Sequence, residues 1–107
     1  MNNIKLILTT HDDLVQAREL ARYLVEQRAA ACVNIIPQLE SVFHWENEVQ
    51  TESEILLLIK TTETKVEQVK AILEERHSYD VPEIIAFNGE VLHQPYMDWV
   101  RECLEEL

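Results

Sequence analysis

The stretch HSYDVPEII, His77 to Ile85, gathers an imidazole, a phenol and two carboxylates just ahead of an apolar run. A neutral imidazole is a good ligand for copper and zinc. Glu83 lies close enough in sequence to converge with His77 across the bend at Pro82. Because proline holds the preceding residue extended, Val81 is fixed and Glu83 is expected to enter the following strand at a set angle. His77 and Glu83 are therefore the candidate metal ligands. The alternative for His77 is an ordinary histidine drawn to a helix C-terminus by the helix dipole. Tyr79 reads as packing its ring and anchoring its hydroxyl. Lys60, closing the run EILLLIK, is a candidate counter-ion for Glu83. His11 and Asp12 form a second cluster after the first strand. Trp45 and Trp99 read as packing or interface anchors, and His44 and His93 as surface residues.

The elements that must position these groups can be read from periodicity. Ile4, Leu6 and Leu8 mark a first strand. TTHDD then starts a helix, with Thr10 and Asp13 at capping-box spacing. Leu14, Ala17, Ala21, Leu24 and Val25 continue at helical spacing. AACVNIIP and SVFHW are rich in β-branched and aromatic residues, so Ala30 to Trp45 reads as one long strand. Pro37 within it requires a bulge or an edge, since it has no N–H for a ladder. ENEV turns the chain, with Asn47 the residue best suited to positive φ. EILLLIK is the next strand. Thr64 and Glu67 suggest a box for a helix carrying Val66, Val69 and Leu73, and PEIIAF is the fourth strand. Tyr96, Trp99, Val100, Cys103, Leu104 and Leu107 share one face of a last helix opened by Pro95.

The order is β-α-β-β-α-β plus a C-terminal helix, which predicts an α+β fold, the ferredoxin-like sandwich, over residues 1–107 as a single domain. Ile55 to Ile59 are apolar without interruption, so both faces of that strand are greasy while the crossover helices cover only one. The last helix can cover part of the other face. What is left predicts self-association.

Composition narrows the partners. The net charge of −11 disfavours phosphate backbones and anionic membranes, so neither nucleic acid nor membrane is expected. No run approaches the roughly 20 apolar residues of a membrane span. The opening MNNIKLILTT lacks the features of a signal peptide. The expectation is a soluble cytoplasmic protein whose two distant cysteines, Cys32 and Cys103, stay reduced.

AACVNIIP, SVFHW, EILLLIKTT, HSYDVPEII and YMDW occur in the order and spacing of the CutA divalent-cation-tolerance family, and the chain resembles that family over essentially its full length. The resemblance implies a ferredoxin-like subunit, a homotrimer built by strand pairing between subunits, and kinship with PII-like signalling proteins. It also implies tolerance to divalent cations, notably copper(II), with no organic cofactor and no defined enzymatic reaction. Several positions depart from the family pattern. Asn47 stands where a turn glycine is usual, Ser78 where proline is usual, and Phe43 where tyrosine is usual. Thr9 and Arg76 occupy positions that hold a cysteine and a second histidine in some members. Any metal site here therefore has one nitrogen donor and otherwise oxygen.

Three functional classes follow. The first is a trimeric protein that binds or responds to divalent metal. The second is a PII-like signalling or scaffold module that takes a small molecule or a partner protein in the cleft between subunits. The third, a hydrolase using His77 and Glu83, lacks a nucleophile motif, a phosphate loop and metal-ligand spacing.

Overall fold

The computed structural model describes residues 2–106. Strand β1 (Asn3–His11) leads to helix α1 (Leu14–Glu26), strands β2 (Cys32–Trp45) and β3 (Glu48–Thr61), helix α2 (Val66–Arg76), strand β4 (Ile85–Glu90) and helix α3 (Gln94–Cys103), with a short 3-10 turn at Glu63–Lys65. The four strands form one antiparallel sheet in the order β2-β3-β1-β4. This is the expected α+β arrangement. No described helix is long and apolar enough to cross a membrane.

Alternation sorts the strands onto two faces. Ile7 of β1 pairs with Ile59, and Ile55, Leu57 and Ile59 of β3 pack with Leu20, Leu24, Val69 and Leu73 of α1 and α2. Burying such side chains stabilises the fold by about 1.5–3 kcal/mol each. The opposite face is shared: α3 lays Met97 and Val100, followed by Leu104, against Ile4 and Ala31. Leu107 lies outside the described residues. Beyond the reach of α3, Leu8, Leu56 and Leu58 stay half-buried and Ile36, Ile85 and Phe87 exposed. Cys32 and Cys103 are free thiols, both partly buried.

Several boundaries differ from the sequence reading. Strand β1 runs on to His11, so Thr10 is a ladder residue opposite Leu56, and Asp13 alone caps α1 by accepting from the N–H of Gln16. Arg28 takes positive φ at 55°, and buried Ala29 and Ala30 turn the chain, so β2 starts at Cys32 rather than Ala30. Strand β3 begins at Glu48, well before the expected EILLLIK. Thr64 caps nothing: its hydroxyl meets Thr62 and the Glu106 carboxylate, and Lys65 precedes α2 without a side-chain cap. Strand β4 begins at Ile85 rather than Pro82, which leaves Glu83 in the connector.

Pro37 meets both of the expected alternatives, since it sits at a bulge and β2 is an edge strand of the sheet. Between the pairs Ile36–Leu56 and Leu39–Glu54, β2 inserts Pro37 and Gln38 against the single residue Ile55, and Gln38 takes a φ of 62°. The extra residue switches the side-chain parity of β2 for the rest of its length. The β2–β3 hairpin closes through Glu46 and Asn47, both at positive φ as a two-residue type I′ turn demands.

Candidate functional site

The end of β1, the connector after α2 and the hairpin arm meet in one place. His77 leaves α2 as its C-cap, and its ring turns back toward the sheet. Its Nε2 lies 2.6 Å from the carbonyl of Thr10, while its Nδ1 accepts the N–H of Tyr79 at 3.0 Å. An Nδ1 that accepts leaves the proton on Nε2, so Nε2–H donates to Thr10. Each nitrogen already serves the backbone.

His11 repeats the device. Its Nδ1 accepts the N–H of Asp13 at 3.0 Å, and its ring stacks on His77 with centroids 4.8 Å apart. Tyr79 continues the stack, 4.8 Å from His77. The His11 side chain is 1% exposed. Burial lowers its pKa, the neighbouring His77 lowers it further, and Asp12 and Asp13 pull the other way. A neutral His11 forms no ion pair with Asp12, although its carboxylate stands 3.4 Å from Nδ1.

Tyr79 donates its hydroxyl to Oε2 of Glu54 at 2.6 Å. Burial first, then the bond to that carboxylate, raises the Tyr79 pKa, so the phenol stays protonated and remains a donor. The Ser78 hydroxyl reaches Asp12 at 3.2 Å, which ties the connector to the end of β1 a second time.

Beside this stack lies an open cleft of about 980 Å³ between the hairpin arm and the connector. Asp12, Glu52, Glu54, Asp80 and Glu83 line it, and no Lys, Arg or His is among the described residues that do. Phe43 and Trp45 form its aromatic wall. Their presence there follows from the bulge: without the inserted residue, odd-numbered side chains of β2 would continue on the helix-covered face with Val33 and Ile35. Instead Ser41, Phe43 and Trp45 stand opposite Glu52, Gln50 and Glu48.

The structure brings together some of the expected residues and separates others. His11, His77 and Tyr79 form one cluster. Glu83, which is exposed, lines the cleft, and so does Trp45 of the arm. Lys60 is not the counter-ion of Glu83. It pairs with Leu6 and Cys32 five residues along β3 from Ile55, roughly 17 Å from the site end at strand rise. The described ion pairs of lysine and arginine are Lys5–Glu63 and Arg28–Glu105. Trp99 packs on Tyr96 of α3, away from the cleft. Glu54 was missed. Its signal was the row Glu48, Glu52 and Glu54, acids at even spacing that a strand places on one face.

As a resident metal centre the residues do not fit. Both nitrogens of His77 are engaged, and among the described residues no group of three or more His, Cys, Asp or Glu side chains converges to hold an ion. Thr9 is fully buried with its hydroxyl unpartnered.

Comparison with known proteins agrees with this architecture. The family model described as CutA1 divalent ion tolerance protein matches residues 5–103. The Divalent-cation tolerance protein CutA of Thermus thermophilus is 41% identical over 102 residues, covering 95% of this chain and 97% of that protein. Its solved structure superposes with a TM-score of 0.88, covering 92% of this chain and 96% of that one. Human Protein CutA is 41% identical over 91 residues, 85% of this chain, which spans only 51% of the human protein's length. Protein CutA 1, chloroplastic, of Oryza sativa is 39% identical over 89 residues, 83% of this chain and 50% of its own. A crystal structure of CutA1 from Oryza sativa, 35% identical, gives a TM-score of 0.91 over 94% of this chain and 93% of that one. With a family model spanning nearly the whole chain, relatives near this identity and the same fold, the chain belongs to the CutA1 divalent ion tolerance family.

Proposed function

We propose that the chain acts in the cytoplasm as a homotrimer that responds to divalent cations, copper(II) among them, without holding a resident metal. The observation that carries this reading is the cleft: five carboxylates line it, and no basic side chain among the described residues does. Oxygen donors of this kind attract divalent ions with little selectivity beyond the Irving–Williams order. Glu83, exposed at the cleft wall, is the expected contributor, and His77 is the structural support of the connector. Trimer formation is supported by the uncovered face of the sheet, where Leu8, Leu56, Leu58, Ile36, Ile85 and Phe87 form an apolar strip. No catalytic step belongs to this reading, because His77 has no free lone pair to act as a base.

Calorimetric titration of the full chain with copper(II) and zinc(II), beside Glu83→Gln, tests the cation reading. Saturable binding that weakens in the variant supports it, and no saturable heat for either ion overturns it. Light scattering tests the trimer. The wild type is expected at three times the chain mass, and Leu58→Asp, which charges the uncovered face, is expected to dissociate or unfold it.

A specific feature favours a second reading, a PII-like module whose cleft takes an organic ligand. Phe43, Trp45, Val42 and Val81 give the cleft an apolar wall that a bare ion does not need.

A further inference from the structure

We infer that Asn88 is a site of spontaneous covalent modification, deamidation by ring closure onto the backbone nitrogen of Gly89, and that the pairing of β4 with β1 is the gate that holds the reaction off.

The chain has five asparagines, Asn2, Asn3, Asn34, Asn47 and Asn88, and a single glycine, Gly89, which follows the last of them. Neither a turn nor a close approach demands that glycine. Its φ is not positive, and a Cβ there would meet Ile4 and Leu6 at an ordinary 3.4 Å. What the missing side chain does leave is an unhindered backbone nitrogen beside the Asn88 amide, and a backbone free to take the geometry of attack once released. The other four asparagines precede Asn, Ile, Ile and Glu, whose side chains crowd that nitrogen.

The chemistry needs no partner but water. The Gly89 nitrogen bonds to Cγ of Asn88 and gives up its proton, the Cγ–Nδ2 bond breaks, and the amide leaves as ammonia carrying that proton. Water then opens the five-membered imide at one carbonyl or the other, which leaves aspartate or isoaspartate at position 88. Isoaspartate routes the chain through its side-chain carbon and lengthens the backbone of β4, so the ladder beyond it loses register. Plain aspartate sets a carboxylate opposite Lys5, which now pairs with Glu63 at 3.1 Å.

The fold decides when this happens. Asn88 is exposed and stands directly across from Lys5. Because Lys5 reaches Glu63 just before α2, Asn88 lies on the helix side of the sheet and not on the apolar strip. Bonded pairs alternate along an antiparallel ladder, and the Val91 N–H donates to the Asn2 carbonyl at 2.7 Å. Two residues back, the same alternation ties the Gly89 N–H to the carbonyl of Ile4. The nucleophile is thus engaged while β4 is paired. Strand β4 is only 6 residues long and has β1 as its single neighbour among the described residues, so it lifts more readily than the central strands. A second subunit paired along the outer edge of β4 would hold it down further, so the gate does not depend on that edge being free.

The test incubates the full chain at mildly alkaline pH across a urea series and maps position 88 by peptide mass spectrometry, with chromatography to separate the aspartate and isoaspartate products. In fully denaturing urea the amide at position 88 is expected to be lost ahead of the other four. Asn88→Gln, whose longer side chain closes a less favourable ring, and Gly89→Ala, which crowds the nitrogen, are expected to slow that loss strongly. The folded chain is expected to react at least roughly 10-fold more slowly than the denatured one, with the rate rising in urea concentrations below the main unfolding transition seen by circular dichroism. No preferential loss at position 88 in the denatured chain overturns the site. A folded chain that reacts as fast as the denatured one, or whose reaction rises only across the main transition, overturns the edge-strand gate.

Discussion

Tyr79 reaches from the connector after α2 to give its hydroxyl to Glu54 of β3 at 2.6 Å, and this bond fastens a short irregular segment to the sheet. The phenol is kept protonated by its surroundings, so the donor persists across the physiological range. Tyr79→Phe removes the donor and leaves a largely buried carboxylate unsatisfied. The expected loss is about 1–3 kcal/mol in denaturant unfolding. Tyr79→Phe combined with Glu54→Gln is expected to cost less than the two single changes added together, because the pair is coupled.

His77 holds the same segment from the other side, through Thr10 and the N–H of Tyr79. His77→Ala strips two backbone groups of their partner, so a stability loss of about 2 kcal/mol is expected. Copper(II) affinity, read by calorimetry below the melting transition, is expected to change less than in Glu83→Gln. A larger loss in His77→Ala would restore the imidazole as a ligand.

His11 makes stability depend on pH. Its pKa in the folded chain lies below 6.5, the value for a free histidine, chiefly through burial and then through His77. Between the lowered value and 6.5 the unfolded chain binds more protons than the folded one. The contribution is therefore fully present above 6.5 and is lost as pH falls through the folded value. Melting temperature is expected to drop on going from neutral pH to about 5.5. His11→Asn, whose Oδ1 can accept the Asp13 N–H without titrating, is expected to flatten part of that slope.

The bulge invites a deletion. Removing Gln38 restores one-to-one pairing of β2 with β3, and every side chain from Leu39 to Trp45 must then change face or slip register. Trp45 and Phe43 leave the cleft in that variant. The expected readouts are altered Trp fluorescence and loss of any cleft ligand, with the α1 and α2 core preserved in far-UV circular dichroism.

Much of this was legible in the chain itself. The strand and helix order, the placement of Pro37 at a bulge or an edge and the two-faced Ile55–Ile59 run follow from periods of 2 and 3.6 and from the missing N–H of proline. The site was only half legible. His77 and Tyr79 stand out by type, but the partner of His77 is a carbonyl at Thr10, and nothing local marks which backbone group a side chain will meet across such a separation. Lys60 was misplaced because an ion pair requires shared space, and strand register puts that residue at the far end of β3. The boundary at Ile85 was missed since Pro82, Glu83 and Ile84 read as strand residues while the chain spends them crossing from α2 to the sheet.

The hairpin arm also has a hydrodynamic consequence. The subunit measures 48 × 24 × 22 Å with a radius of gyration of 14.6 Å, against about 13 Å for a compact chain of this length. A lone subunit would tumble and diffuse as a longer particle than its mass implies. Gel filtration calibrated on spherical standards would overstate that mass. Oligomeric state in this protein has to be read from scattered light or sedimentation equilibrium, where shape drops out.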